Sequence, residues 1–144
     1  MAVTFSYADV RLNYNQKQRL KRFIAHMATQ EGYKVASLNY VFCSDAYLLD
    51  INQRFLNHDD YTDIITFDLR ENKKDSSVVG EIYISVDRVK ENAVLHMVSF
   101  ESELVRVTCH GLLHLCGYRD KKKDDVIAMR AAEERCLSAF PAFQ

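Results

Sequence analysis

The chain has 144 residues, of which 48% are hydrophobic, and a formal net charge of −1. This length and composition suit one compact domain over residues 1–144, and the near-zero charge excludes a generally basic surface for nucleic acid, so any RNA contact has to be local. No stretch approaches the roughly 20 apolar residues of a membrane span, and residues 1–14 lack a secretory signal. The four cysteines form no Cys-x-x-Cys pair. We therefore expect a cytoplasmic protein with reduced thiols and no membrane contact.

The first part of the chain predicts a strand, a helix and a second strand. Hydrophobic and polar residues alternate over residues 3–7, which is typical of a short strand. Apolar side chains then recur at helical intervals over residues 15–30, and Gly32 follows as a helix stop. Alternation returns over residues 38–43, which predicts a second strand with one face towards a core.

A second helix and a third strand follow. Ser44 or Asp45 can cap a helix that continues through Phe55 on an apolar stripe. Residues 63–69 predict the third strand. The segment 70–77 is charged and has no periodicity, so we expect an exposed loop that joins two neighbouring strands rather than a boundary between domains.

The last part of the chain predicts one more strand and three helices. Residues 78–86 have strand character, and residues 87–96 predict a short helix. Ser99 is placed to cap a long apolar helix over residues 100–116, and a final helix covers residues 124–139. This order predicts an α+β domain, in which helices cover a single small mixed β-sheet of about four strands and the apolar helix is the central element.

The end of the apolar helix carries a candidate metal site. His110 and His114 are one helical turn apart, so both imidazoles can reach one ion. Gly117 can adopt the left-handed conformation that ends a helix, and the chain then returns with Asp120. Two imidazoles, one carboxylate and an open position for water form a common catalytic zinc site.

The spacing can be compared with the metzincin motif, His-Glu-x-x-His-x-x-Gly-x-x-His. This chain has His-Gly-x-x-His-x-x-Gly-x-x-Asp, so both helical ligands, the turn glycine and the position of the third ligand are kept, while Gly111 replaces the glutamate that serves proteases as general base. Three other interpretations stay open. The histidines can be hydrogen-bonded core residues, the metal can be a structural staple in a binding module, or another carboxylate can supply the base of a metalloprotease-like hydrolase.

Three segments resemble the YbeY family of bacterial endoribonucleases and ribosomal RNA maturation factors. His110-Gly-Leu-Leu-His-Leu-Cys-Gly-Tyr118 is similar to the family signature His-Gly-x-Leu-His-Leu-x-Gly-Tyr-Asp-His. Residues 52–67 resemble the family's Asn-x-x-Tyr-Arg-x-x-Asp-x-Pro-Thr-Asp-Val-Leu-Ser-Phe stretch, and residues 80–82 resemble its Gly-Asp-Ile strand. The resemblance extends over most of the chain.

The resemblance implies a function, a cofactor and partners. It implies a metal-dependent endoribonuclease that cleaves single-stranded RNA in ribosomal RNA maturation, including processing of the 16S rRNA 3′ end, and in ribosome quality control. The implied cofactor is one Zn²⁺ per chain, with Ni²⁺ or Mn²⁺ as other suitable ions. The implied partners are ribosomal RNA, the small ribosomal subunit and ribosome-assembly proteins. With these partners, the structural-staple alternative becomes an assembly factor that docks on the ribosome and holds a structural metal.

Two departures from the family pattern concern the site. The third histidine of the family is Asp120 here, preceded by Arg119, so the ligand set becomes His-His-Asp and the site carries less positive charge. Leu56 stands where the family has an arginine associated with the RNA phosphate. Arg54 and Arg119 are the candidate RNA-binding residues that can replace it.

The sequence identifies no proton acceptor for the reaction. Four polar residues in the family-like segments are candidates by type only: His58, Asp59, Asp63 and Glu81. Lysines and arginines are concentrated in two short runs, residues 16–22 and 119–123, and the second run lies beside the predicted metal ligands.

Overall fold

A computed structural model describes residues 2–144, and these residues form a four-stranded sheet with five α-helices. Within this range, none of the helices has both the length and the apolar character needed to cross a bilayer. The elements in chain order are β1 (Val3–Tyr7), α1 (Lys17–Gln30), β2 (Lys34–Cys43), α2 (Asp45–Leu56), β3 (Ile64–Asp68), β4 (Ser77–Ser85), α3 (Val86–Leu95), α4 (Phe100–Leu115), α5 (Lys123–Ala139) and a 3₁₀ turn (Phe140–Ala142).

The sheet is mixed, with the strand order β1-β2-β4-β3. The strands β1, β2 and β4 run parallel, whereas β3 pairs antiparallel with β4 and forms one edge. Residues 69–76 connect β3 to β4, as expected for a loop between neighbouring strands. The α+β prediction and the number of strands are confirmed.

The second strand is longer than its hydrophobic pattern predicts. It begins at Lys34 instead of residue 38, because its first residues pair with β4 through Lys34–Ser77 and Val35–Val78. The register then shifts between Val35 and Ser37. Such an irregularity breaks the two-residue alternation, and therefore only the second half of the strand has a recognisable strand pattern.

Helix α4 is buried against the sheet. The phenol of Tyr40 on β2, fully buried, donates a hydrogen bond of 2.7 Å to the carbonyl of Thr108 on α4. The sheet side chains Leu38, Ile82 and Ile84 belong to the same core as Leu112 and Leu113 of this helix. On the far side of the sheet, α2 packs through a second, smaller core made of Cys43, Leu48, Ile51 and Ile65.

The predicted caps fix both ends of α4. The Ser99 hydroxyl accepts a hydrogen bond of 3.0 Å from the Ser102 N–H, which confirms its role as the N-cap. The helix runs to Leu115, and Gly117 has a φ of +96°. The bonds Gly117 N–H to His114 C=O (3.1 Å) and Tyr118 N–H to Leu113 C=O (3.0 Å) form a Schellman motif.

Gly111 allows the close approach of α4 to the sheet. A Cβ atom at this position would lie 2.7 Å from Cδ1 of Ile82 and 3.0 Å from Cδ1 of Ile64. Ile82 is fully buried, so its side chain has little room to move away. A helix with any larger residue at position 111 would have to lie farther from β3 and β4.

We expect Gly111→Ala to destabilise the protein by about 1–2 kcal/mol, because overpacking outweighs the gain of about 1 kcal/mol in helix propensity. Adding Ile82→Val removes the clashing methyl group, so the double variant should be more stable than the sum of the two single changes predicts. Chemical denaturation of the wild type, the two single variants and the double variant measures this coupling between positions 111 and 82. A stabilised Gly111→Ala protein would show that the contact is not tight.

Candidate metal centre

The last turn of α4 and the chain after it bring three potential ligands together. His110 and His114 lie on one face of the helix, with their ring centroids 4.7 Å apart. The Schellman turn at Gly117 reverses the chain direction, so that Asp120 comes back to the two rings. Among the described residues, these three form a group whose ligand atoms all lie within 4.8 Å of one another.

The ligand atoms are spaced as a metal ion requires. Oδ2 of Asp120 lies 3.4 Å from Nε2 of His110 and 3.2 Å from Nε2 of His114. Zinc ligands lie about 2.0–2.2 Å from the ion, and tetrahedral geometry therefore separates two ligand atoms by about 3.4 Å. Both distances match this separation, so the Asp120 carboxylate and the two imidazoles can approach one divalent ion, and two imidazoles with one carboxylate suit zinc among other divalent metals.

Both imidazoles are oriented through their Nδ1 atoms. Nδ1 of His110 lies 2.6 Å from Oε2 of Glu133 on α5, and Nδ1 of His114 lies 3.1 Å from the carbonyl oxygen of Tyr118. Each of these acceptors takes a hydrogen bond from Nδ1, so Nε2, which faces Oδ2 of Asp120 in both rings, is the nitrogen that can bind an ion. Ligating histidines in metal sites have the same support.

A network of charged groups lies behind His110. The Arg106 guanidinium donates to Glu103 at 2.6 Å, lies 3.5 Å from Glu133, and reaches Asp63 just before β3 at 3.3 Å. Burial alone would lower the pKa of Arg106, but the hydrogen bond and charge of Glu103, with Glu133 and Asp63, raise it above its usual value. Glu103 is itself 98% buried on its side chain and is compensated by this cation.

A cleft of about 600 Å³ opens beside the three ligands. Strand β3 forms one wall through Ile64, Thr66 and neighbouring residues, and the end of α2 contributes Asn52 and Leu56. The remaining lining includes His58, Asp60, Thr62, Asp63 and Asp68. A reactant placed in this cleft would lie directly against the imidazoles.

The structure separates the candidate acids and bases into two groups. His58 and Asp63 line the cleft, as does Asp60, which was not identified from the sequence. Asp59 is hydrogen-bonded to Gln53, and Glu81 accepts a bond of 2.6 Å from the Tyr83 hydroxyl. Neither of these two lines the cleft.

The two arginines proposed for RNA contact occupy different surroundings. Arg54 pairs with Asp50 one turn away on α2 at 3.1 Å and does not line the cleft. Arg119 is exposed in the turn after α4 and lines a second cleft next to the ligands. Leu56, at the position of the family arginine, does line the first cleft.

Tyr118 and the cysteines are structural. The Tyr118 hydroxyl donates to Glu31 at 2.6 Å and accepts from Arg135 at 2.8 Å, which ties the turn to α1 and α5. All four cysteines are buried and free.

The role of Glu133 beside His110 could not be predicted from the sequence, because nothing in the composition of α5 distinguishes it from its neighbour Glu134.

Comparisons with known proteins agree with the motifs. The profile of the family described as Endoribonuclease YbeY matches residues 3–141. Proteins named Endoribonuclease YbeY are similar in Cytophaga hutchinsonii, at 46% identity over 94% of each chain, and in Porphyromonas gingivalis, at 44% identity over 94% of this chain and 87% of the relative. The solution structure of TM1509 from Thermotoga maritima superposes with a TM-score of 0.65 and 27% identity, covering 96% of this chain and 92% of that one.

Glu133 provides a test of the support for His110. We expect Glu133→Ala to weaken Zn²⁺ binding about 10–100-fold, whereas Glu133→Gln, which keeps an acceptor oxygen, should lose less. Competition with a chromogenic chelator measures the affinity. Glu134→Gln on the exposed side of the same helix is the matched control. Equal affinities of the Glu133→Ala and wild-type proteins would contradict a role for this contact.

Proposed function

The chain belongs to the YbeY family of endoribonucleases, and on that basis we propose that it hydrolyses phosphodiester bonds of single-stranded RNA with one divalent ion bound by His110, His114 and Asp120. The observation that supports this most directly is the convergence of two Nε2 atoms and one carboxylate oxygen at 3.2 and 3.4 Å on the wall of an open cleft.

Different residues of the chain have different roles in the site. A bound ion of this type supplies Lewis acidity, by making coordinated water more acidic or by stabilising charge on a phosphoryl oxygen. Glu133 and the Tyr118 carbonyl hold the two imidazoles in the ligating tautomer. The cleft is open along β3, so an extended strand of RNA can lie across the ligands. His58, Asp60 and Asp63 are candidates for proton transfer from the cleft wall.

The biological substrate in this proposal is ribosomal RNA. The family resemblance supports processing at the 16S rRNA 3′ end and ribosome quality control in the cytoplasm, with the small ribosomal subunit and assembly proteins as partners. Zn²⁺ is the proposed native ion, one per chain. Asp120 in place of a histidine adds a negative charge, which favours harder ions such as Mn²⁺ more than a three-histidine site does.

The packing of α4 counts against a metalloprotease of the metzincin class with its glutamate base on the metal helix. The catalytic glutamate of that class would occupy position 111, where even a Cβ atom would approach Ile82 to 2.7 Å.

The structural-staple alternative predicts a closed ligand shell. Among the described residues, three ligand atoms converge and one side of them faces the cleft, where a fourth position is accessible to water or substrate.

We expect His114→Ala and Asp120→Ala to lose both bound metal and RNA cleavage, since two ligands bind a divalent ion far more weakly than three. Asp120→His, which restores the ligand set of the family, should keep both. Metal analysis of untagged protein and cleavage of a labelled single-stranded RNA measure the two properties. His96→Ala, an exposed histidine after α3, is the control and should behave as wild type.

Two results would contradict the proposal. Undiminished cleavage by the His114→Ala protein would point to a contaminating ribonuclease. A wild-type protein that contains one tightly bound ion, with four protein ligands and no activity on RNA, would favour the structural-staple alternative instead.

A further inference from the structure

The cleft at the ligands continues into a second cleft of about 500 Å³ on the far side of Asp120. Four residues line both clefts: Asp68, His114, Asp120 and Lys121. The second cleft lies between the loop after β3 and the turn that follows α4. The two clefts are therefore adjacent and meet at the candidate metal ligands His114 and Asp120, and we call the pair the trough.

The two halves of the trough carry opposite charge. The first cleft is lined by four aspartates and one lysine, while the second is lined by five cationic side chains and three aspartates. A chain with a net charge of only −1 thus concentrates positive charge on one side of the ligands. The distribution differs from the uniform basic surface that non-specific nucleic-acid binding produces.

Three of these cations are free to bind an external anion. The Arg70 guanidinium is engaged, because it donates to Asp68 at 2.6 Å and to the Leu115 carbonyl at 2.8 Å. Arg119, Lys121 and Lys122 are exposed, and within residues 2–144 none of them forms an ion pair. Lys73 also lines the second cleft but is partly engaged, because its ammonium group donates to the main-chain oxygen of Asp68 and lies 3.9 Å from the Asp68 carboxylate.

The other basic run of the chain is used internally. Arg19 on α1 donates to the Phe143 carbonyl at 2.8 Å, and Arg22 donates to the Gln144 carbonyl at 3.2 Å, so both anchor the C-terminal segment. Lys17 and Lys21 lie about 5 Å from aromatic rings of β1, at 5.0 and 5.1 Å from the ring centroids. Arg119, Lys121 and Lys122 therefore remain as free cations of the two basic runs, and they lie beside the candidate ligands.

We infer that Arg119 and Lys122, with Lys73 and Lys121, form a phosphate-binding subsite for the RNA backbone on one side of the cleaved bond. The inference rests on the proposed function and specifies how its substrate is oriented. The aspartates of the first cleft repel phosphates, and the free cations of the second attract them. The strand therefore keeps its backbone contacts on the basic side. This subsite takes over the phosphate contact that Leu56 cannot make.

Binding of a short fluorescein-labelled oligouridine, followed by anisotropy at several salt concentrations, tests the subsite. The double variant Arg119→Gln/Lys122→Gln should bind about 10-fold more weakly at low salt, and its slope of log K against log salt should fall by about 1.4 for two lost phosphate contacts. The matched control Lys17→Gln/Lys21→Gln removes the same charge from α1 and should bind as wild type. Arg119→Lys/Lys122→Arg keeps the charge and should also bind well.

Three outcomes would overturn the inference. Equal losses in the two charge-removing variants would mean that net charge alone drives binding. Unchanged binding by the Arg119→Gln/Lys122→Gln protein would mean that the backbone does not pass here. Displacement of the RNA by polyglutamate of equal charge as effectively as by unlabelled oligouridine would mean that the cleft accepts anions in general.

Cleavage kinetics separate this inference from the proposed function. If both hold, the Arg119→Gln/Lys122→Gln variant raises KM about 10-fold and leaves kcat within about twofold, because the lost contact is made equally in the ground and transition states. A wild-type protein that binds RNA with the predicted charge dependence and never cuts it would refute the function and keep the subsite. A protein that cleaves RNA normally but binds it independently of these charges would refute the subsite and keep the proposed function.

Discussion

The burial of α4 against the sheet is the constraint on which the site depends. A helix with Gly111 at the contact can approach Ile82 and Ile64 closely, and the Tyr40 bond to the Thr108 carbonyl fixes its position along the strands. Both histidines are thereby held at the border between the core and the cleft. A metal ligand placed on so rigid an element needs little reorganisation to bind its ion.

Local signals in the sequence predicted most of the fold and identified the three residues that the structure groups as candidate ligands. The caps, the glycine stop and the ligands all lie within residues 99–120, so spacing along the chain was enough to relate them. The contact between Glu133 and His110 joins two helices that no local pattern relates, and α5 contains several acidic residues of similar appearance. The first half of β2 was not predicted, because its irregular register breaks the alternation of hydrophobic and polar residues.

The two departures from the family pattern are related through charge. Asp120 adds an anion to a site that already faces Asp63 and Asp68, and Leu56 removes a cation from the same cleft. Both changes make the first cleft less attractive to phosphate. The free cations of the second cleft supply positive charge on the other side of the ligands. The two departures together therefore move positive charge from one cleft of the trough to the other and do not remove it.

The supports of the two histidines differ in kind. His114 bonds to the main-chain oxygen of Tyr118, which every residue type at that position would provide, whereas His110 relies on the carboxylate of Glu133. A single nucleotide change can therefore abolish one support but not the other. Of the two contacts that orient the imidazoles, only the one to His110 can be changed by replacing a side chain, and that side chain lies on the face of α5 that carries Glu133.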